Sequence, residues 1–345
     1  MKKPNSRTWL FFFVIFVLTF LLATYYFSEI KNEFRALGKV NPYWLIIAVG
    51  GQFLTYAFTA RIYQELLRSY KLARLPSQWE LLKASIISLF FNQTVPSAGV
   101  SGNAFLIGFL ARFSMSGRLA ISLILEELLL FYSAMEVIML SSMIACLFVY
   151  KAFYSFKVVL IAGMLVYLAF GLTVGFAGRR TRLNRLYDVL SRTWMAKKVF
   201  KRVSKTMNDG DVLKNDMALW PLIKDNLAVA IRVLFLQLAL VAADGLTLFV
   251  LFLGIGQHIS PFIVLLTLIC TKVISIIPFL PGALVLYESS MILFFTTAGV
   301  SPGTAVVVTL VYRFLSFWLP MPIGTFLYRQ WLKNASADSA TSASQ

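Results

Sequence analysis

The chain has 345 residues, 59% of them hydrophobic and only 14% charged, with a mean hydropathy of +0.77. A soluble domain of this size has no interior large enough to hide that much apolar surface, which leaves a polytopic membrane protein. The net charge of +17 reads in that setting as Lys/Arg-rich cytoplasmic loops, not as a nucleic-acid surface.

Residues Trp9 to Ser28 make the first apolar run, behind Lys2, Lys3 and Arg7. The run is about 20 residues long and ends in Tyr25-Tyr26-Phe27 without a small-residue cleavage site, the pattern of a retained signal anchor. Tyr43 to Tyr63 predict a second span. Trp79 to Phe91 and Phe105 to Ala111 are short apolar pieces around a Pro/Gly break. Leu119 to Tyr150 would be about 48 Å long as one helix, so it must tilt or project. Phe156 to Ala177 and Leu227 to Leu253 are further spans. Phe262 to Ile277 and Leu286 to Ala298 flank a second break, and Thr304 to Tyr328 is the last span. The Ala/Ser/Thr-rich end, 334–345, reads as a disordered tail.

Between the middle spans lies a basic segment, Arg179 to Asp225. Its first part, to Lys205, holds ten Lys/Arg against one acid, Asp188. Leu183, Leu186, Val189, Leu190, Trp194 and Val199 recur there at helical spacing, as in an amphipathic helix on an anionic inner leaflet. A topology determinant with no specific ligand explains the same residues. With the N-terminus inside and each broken pair entering and leaving on one side, cytoplasmic parts hold 22 Lys/Arg and outer loops 5. That bias places both termini in the cytoplasm of a cell membrane.

The first break reads Phe91-Asn92-Gln93-Thr94-Val95-Pro96-Ser97-Ala98-Gly99-Val100-Ser101-Gly102, the second Ile277-Pro278-Phe279-Leu280-Pro281-Gly282-Ala283. A constant offset of 185 aligns Pro96 with Pro281, Ser116 with Ser301, Ala120 with Ala305 and Leu125 with Leu310. Broken helices are tolerated at membrane depth only where they line a cavity or are buried in protein. The expected architecture is therefore all-α: about six full transmembrane helices plus two re-entrant helical hairpins, in inverted repeats of about 79–150 and 262–328, forming one integral domain over 1–333. Ser97, Gly99, Ser101 and Gly102 lack bulky side chains, and a helix beginning near Asn103 would aim its positive end at an anion such as a phosphate. Asn92 and Gln93 add amide hydrogen bonds. An ordinary hairpin with turn residues accounts for the same letters.

Seven ionisable residues fall within apolar runs: Glu126, Glu127, Glu136, Asp244, Lys272, Glu288 and Arg313. Each costs roughly 2.5–3.5 kcal/mol at a helix centre, so each needs a partner or a polar interior. Structural pairs, for instance Asp244 with Lys272, satisfy that need without a ligand. Glu126, Glu127, Glu288 and Arg313 flank the breaks in related positions and point further, to a site. Adjacent Glu126 and Glu127 project about 100° apart and cannot both face one partner. Arg313 is expected to contact Glu126, Glu127 or Glu288, or an anionic ligand. One His and two Cys in separate apolar runs, Cys146 and Cys270, offer no disulfide framework and no metal or haem ligand set, so no cofactor is expected. No Walker loop, nucleophile elbow or dinucleotide fingerprint is present, and no catalytic residue is assigned.

Asn92-x-x-Val95-Pro96-Ser97-x-Gly99 and the run from Ser116 to Glu126 resemble the first motif of the lysylphosphatidylglycerol synthase transmembrane-region family, the flippase-like membrane proteins. Pro281-Gly282-x-Leu284-x-x-x-Glu288, Gly299-Val300-Ser301 and Tyr312-Arg313-x-x-x-Phe317-Trp318-Leu319-Pro320-x-x-x-Gly324 resemble the second. Ala283 stands where that pattern has glycine. In bifunctional members a soluble aminoacyl-transferase domain follows; here about 17 residues follow Tyr328, so the resemblance implies the lipid-translocating half alone or a stand-alone relative with a lipid of its own. It implies binding and translocation of an anionic phospholipid or polyprenyl-linked lipid, with Asn92, Pro96, Ser97, Gly99, Ser101, Pro281, Gly282 and Arg313 meeting the phosphate. Glu126, Glu127 and Glu288 would pair with a cationic head group or carry protons. A different class of role is an accessory or enzyme component in lipid or envelope-glycan assembly, beside a partner glycosyltransferase or aminoacyl-transferase.

Overall fold

The computed structural model describes residues 42–70, 72, 74–94, 99–148, 154–178, 226–276, 283 and 285–341. The helices are α1 (Pro42–Arg68), α2 (Gln78–Thr94), α3 (Val100–Ala111), α4 (Gly117–Phe148), α5 (Tyr154–Ala177), α6 (Leu227–Gly254), α7 (Pro261–Ile274), α8 (Leu286–Thr297), α9 (Pro302–Arg313), a π-helical turn (Phe314–Trp318) and α10 (Pro320–Thr341). The first apolar run, the basic segment and Pro96, Ser97, Pro281 and Gly282 lie outside the described residues.

Local chemistry sets the helix starts. Ser77 and Glu80 form a capping box at α2: the Ser77 N–H donates to Glu80 Oε2 at 2.7 Å and the Glu80 N–H to Ser77 Oγ at 3.2 Å. Slight burial would raise the Glu80 carboxyl, but the Ser77 hydrogen bonds and the charges of Arg74 and Lys83 outweigh it and hold the carboxyl below its usual range. Ser301 caps α9 with Pro302 at the first position, and Ser260 with Pro261 starts α7.

α1, α4, α5, α6 and the unit from Pro302 to Lys333 are each long and apolar enough to cross a membrane. The protein is an all-α polytopic membrane protein. The sixth expected span, Trp9 to Ser28, falls outside the described residues. α2, α3, α7 and α8 have 17, 12, 14 and 12 residues. At 1.5 Å per residue each is about 18–26 Å long, short of the ~30 Å hydrocarbon core. They pack as two hairpins, α2 with α3 and α7 with α8.

The repeat is larger than the broken pairs suggested. The same offset of 185 carries Pro42 to Leu227, the starts of α1 and α6, and Gly117 to Pro302, the starts of α4 and α9. Each unit is thus a long helix, a short hairpin and a second long helix. α1 and α6 form the most extensive helix contact in the described fold, and they run antiparallel. Gly51 meets Thr247, and Glu65 pairs with Arg232. Equivalent helices that pack antiparallel are related by a two-fold axis across them, near Tyr56 and Val241 on this register. The cores follow the same operator. Val233 of α6 lies in the core of the first unit, and its equivalent in α1, Ala48, lies in the core of the second. A Cβ on Gly51 would come 2.6 Å from Thr247 Oγ1, so glycine lets the two helices approach this closely.

α5 has no counterpart among the described helices. It packs on α4 and α7 and forms a third core with Met139, Tyr167, Cys270 and Val273. The end of the chain corrects one expectation. α10 continues to Thr341, so 334–341 are helical where composition pointed to a disordered tail. Ala335, Ala337 and Ala340 carry the highest helix propensity, and the helix is already nucleated by the packed turns before them.

Candidate functional site

The second break is where the backbone is least ordinary. Ala283 has φ 52° and Val285, the residue before α8, has φ 74°. Left-handed backbone costs a β-branched residue most, and such strain persists only where the surroundings impose it. Directly after it come Tyr287 and Glu288 in the first turn of α8, where the helix N-terminus favours an acid.

Arg313 reaches Glu288 from α9. Its Nε donates to Glu288 Oε1 at 2.6 Å, with side-chain exposures of 7% and 18%. The guanidinium lies 4.5 Å from the Tyr287 ring centre and 4.6 Å from that of Phe317, with one ring contact on each. Phe317 lies one turn on from Arg313, where the helix changes to π winding, with the Leu319 N–H donating to the Phe314 carbonyl at 2.8 Å. Such π turns gather at functional sites. Glu288 Oε2 is buried with no hydrogen-bond partner among the described residues.

A second buried chain of polar groups adjoins this pair. Lys272 Nζ of α7 lies 2.9 Å from Asp244 Oδ2 of α6, and the Tyr312 hydroxyl donates to Asp244 Oδ1 at 2.6 Å. The Tyr287 hydroxyl makes a long, 3.4 Å contact to that of Tyr312, and the two rings stack 6.3 Å apart. Four helices thus contribute two acids and two bases, arranged so that each charge has a partner. The pairing of Asp244 with Lys272 is the structural one expected from the sequence.

The first break meets this region from the other unit. Gln93, in the last turn of α2, donates from Nε2 to the Ser316 carbonyl in the π turn at 3.0 Å. The end of the first hairpin therefore sits one turn from Arg313. Asn92 plays an internal part: its Oδ1 accepts the Gly102 N–H at 2.7 Å, while the Ser101 hydroxyl donates to the Phe91 carbonyl at 2.9 Å. Gly99 adopts φ 85°, and α3 begins at Val100, not near Asn103 as expected. One of the N–H groups expected to face an anion is thus capped by Asn92. Gly102 has no room for a side chain, because a Cβ there would collide with the Ser88 carbonyl and Asn92.

Glu126 and Glu127 do not reach Arg313. The Tyr70 hydroxyl donates to Glu126 Oε2 at 3.1 Å, and Gln237 Nε2 to Glu127 Oε1 at 2.9 Å. The two partners lie on different elements, as the 100° divergence of adjacent helical residues requires. Sequence reasoning did not single out Tyr287 or Gln237, and it named Tyr312 and Phe317 only as letters of the second motif, with no role. Aromatic residues are ordinary in membrane helices, and only the spacing of Tyr287 beside Glu288 and Tyr312 beside Arg313 hinted at a cluster. Among the described residues no group of His, Cys, Asp and Glu could hold a metal.

Comparison with known proteins decides the family. The lysylphosphatidylglycerol synthase TM region matches residues 9–324. The chain belongs to this family. A UPF0104 membrane protein of Methanothermobacter thermautotrophicus is 36% identical over 76 residues, 22% of this chain and 22% of that protein. The match thus spans about a fifth of that relative's length. Like its family, this chain is a multi-pass membrane protein.

Proposed function

We propose that the protein binds an anionic or polyprenyl-linked lipid and carries it between the leaflets of the cell membrane, with both termini in the cytoplasm. The observation that carries this reading is Arg313, buried between two aromatic rings and bonded to Glu288 at the junction of the π turn and the strained second break. A guanidinium that already grips a carboxylate grips a phosphate in the same way. In the proposed cycle the lipid phosphate displaces Glu288 from Arg313, and Glu288 takes a proton or a cationic group of the head group. No charge is then left unpaired at membrane depth. The two-fold relation of the units supplies two equivalent arrangements, in which the hairpins exchange environments about the α1–α6 axis.

The test is lipid translocation in proteoliposomes with fluorescent phosphatidylglycerol, phosphatidic acid and a polyprenyl phosphate. The wild type is expected to move at least one of them, and a folded Arg313→Ala protein none. Normal translocation by well-folded Arg313→Ala refutes the role given to Arg313. Stable binding of a lipid without transfer between leaflets would favour the accessory role in lipid or glycan assembly.

A further inference from the structure

α4 and α5 part to leave a cavity of about 350 Å³. Tyr132, Ser133 and Glu136 line it from α4, and Tyr167, Gly171 and Gly175 from α5. The two glycines leave the α5 side bare; a Cβ on Gly171 would meet nothing closer than Tyr132 Cβ, at 3.9 Å. The cavity opens sideways, since Val137, Leu168 and Leu172 beside it are 47%, 52% and 67% exposed on a membrane-facing surface. Tyr132 and Tyr167 meet edge to face, with ring centres 5.8 Å apart.

Glu136 is the charged residue of this lining. Its Oε1 is buried with no hydrogen-bond partner among the described residues, and its carboxyl otherwise lies against the Leu168 backbone. Among the described residues no basic side chain lines the cavity. Lys272 lies within electrostatic reach of Tyr167, but its charge is taken up by Asp244 at 2.9 Å. Glu127 lies within electrostatic reach of Tyr132 but outside the lining, where Gln237 donates to it. The unmatched charge of the groove is therefore negative, and it faces aromatic rings. A carboxylate beside tyrosine rings, in a low-dielectric site open to lipid, recognises an ammonium group.

We infer that the α4–α5 groove binds a lipid whose head group carries an ammonium group, with the ammonium on Glu136 and the acyl chains leaving past Leu168 and Leu172. Its lining residues are not those that touch Arg313, and it is read by binding alone, so failure of translocation leaves its test intact.

The test is native mass spectrometry of the full chain in detergent, with phosphatidylethanolamine competing against its N-acetyl derivative. Acetylation removes the charge and keeps the chains and the phosphate. The wild type is expected to retain phosphatidylethanolamine about tenfold better, the scale of one charge-assisted contact. Glu136→Gln should bring the two lipids to parity. Gly171→Leu keeps the carboxylate and fills the groove, and it should also abolish the preference, which decides the matter if Glu136→Gln fails to fold. Equal retention by the wild type, or a preference that survives either folded variant, overturns the inference.

Discussion

Removing the ammonium of Lys272 should destabilise the fold far more than removing both charges of its pair. Lys272→Met leaves Asp244 Oδ2 without its partner, while Oδ1 keeps the Tyr312 hydroxyl at 2.6 Å. Breaking a buried pair costs about 3–5 kcal/mol. The retained phenol and the 26% exposure of the Lys272 side chain place this case near the lower end, at about 3 kcal/mol. Asp244→Asn alone strands the ammonium, which can partly reach a polar surface, at a cost of about 2 kcal/mol. In the double variant Asn still accepts from Tyr312 and no charge remains, so the loss should fall to about 1 kcal/mol. The double variant is then about 4 kcal/mol more stable than additivity allows, well above the error of such cycles. Unfolding in mixed micelles at rising SDS, followed by tryptophan fluorescence, measures all four proteins. Additive losses, or a neutral Lys272→Met, would refute the reasoning that this pair is a closed structural element.

Four further outcomes test other parts of the structure. Gly51→Val should cost about 1–3 kcal/mol by overpacking against Thr247, and Thr247→Ala should recover part of the loss in the same unfolding assay; an indifferent Gly51→Val would break the α1–α6 contact as described. Asn92→Ala removes the cap on the Gly102 N–H, costs about 1 kcal/mol, and should speed hydrogen exchange in Val100–Ala111 above all other segments. Cysteine at exposed His258 should react with an impermeant maleimide in intact cells and cysteine at exposed Ser114 should not, with little background because Cys146 and Cys270 are buried; the reverse pattern overturns the orientation. Glu80, whose carboxyl is held below its ordinary 4.5, stabilises the start of α2 above that pH and loses the effect as pH falls through its lowered value. Glu80→Gln should therefore flatten the acid limb of the stability profile slightly, and an unchanged limb would show that the capping box adds nothing.

The sequence by itself determined the class, the spans and the repeat. A long apolar run has one stable form in lipid, so Tyr43–Tyr63, Leu119–Tyr150, Phe156–Ala177 and Leu227–Leu253 could be placed to within about two residues at each end, except that α1 runs on to Arg68. Proline and glycine interrupt helices through local sterics, so the offset of 185 between the breaks was visible without coordinates. The cost of intramembrane charge also marked Asp244, Lys272, Glu288 and Arg313 in advance. What only the tertiary structure decided was who meets whom. Hydropathy does not record which face of α4 turns to Tyr70 and which to Gln237, so the partners of Glu126 and Glu127 were beyond it. The extension of the repeat to α1 and α6, and their antiparallel contact at Gly51 and Thr247, depends on packing between segments far apart in the chain. So does the Gln93 bond to the Ser316 carbonyl in the π turn, an acceptor that Pro320, lacking an N–H, leaves free. Propensity and periodicity act along the chain; the site is built from contacts across it.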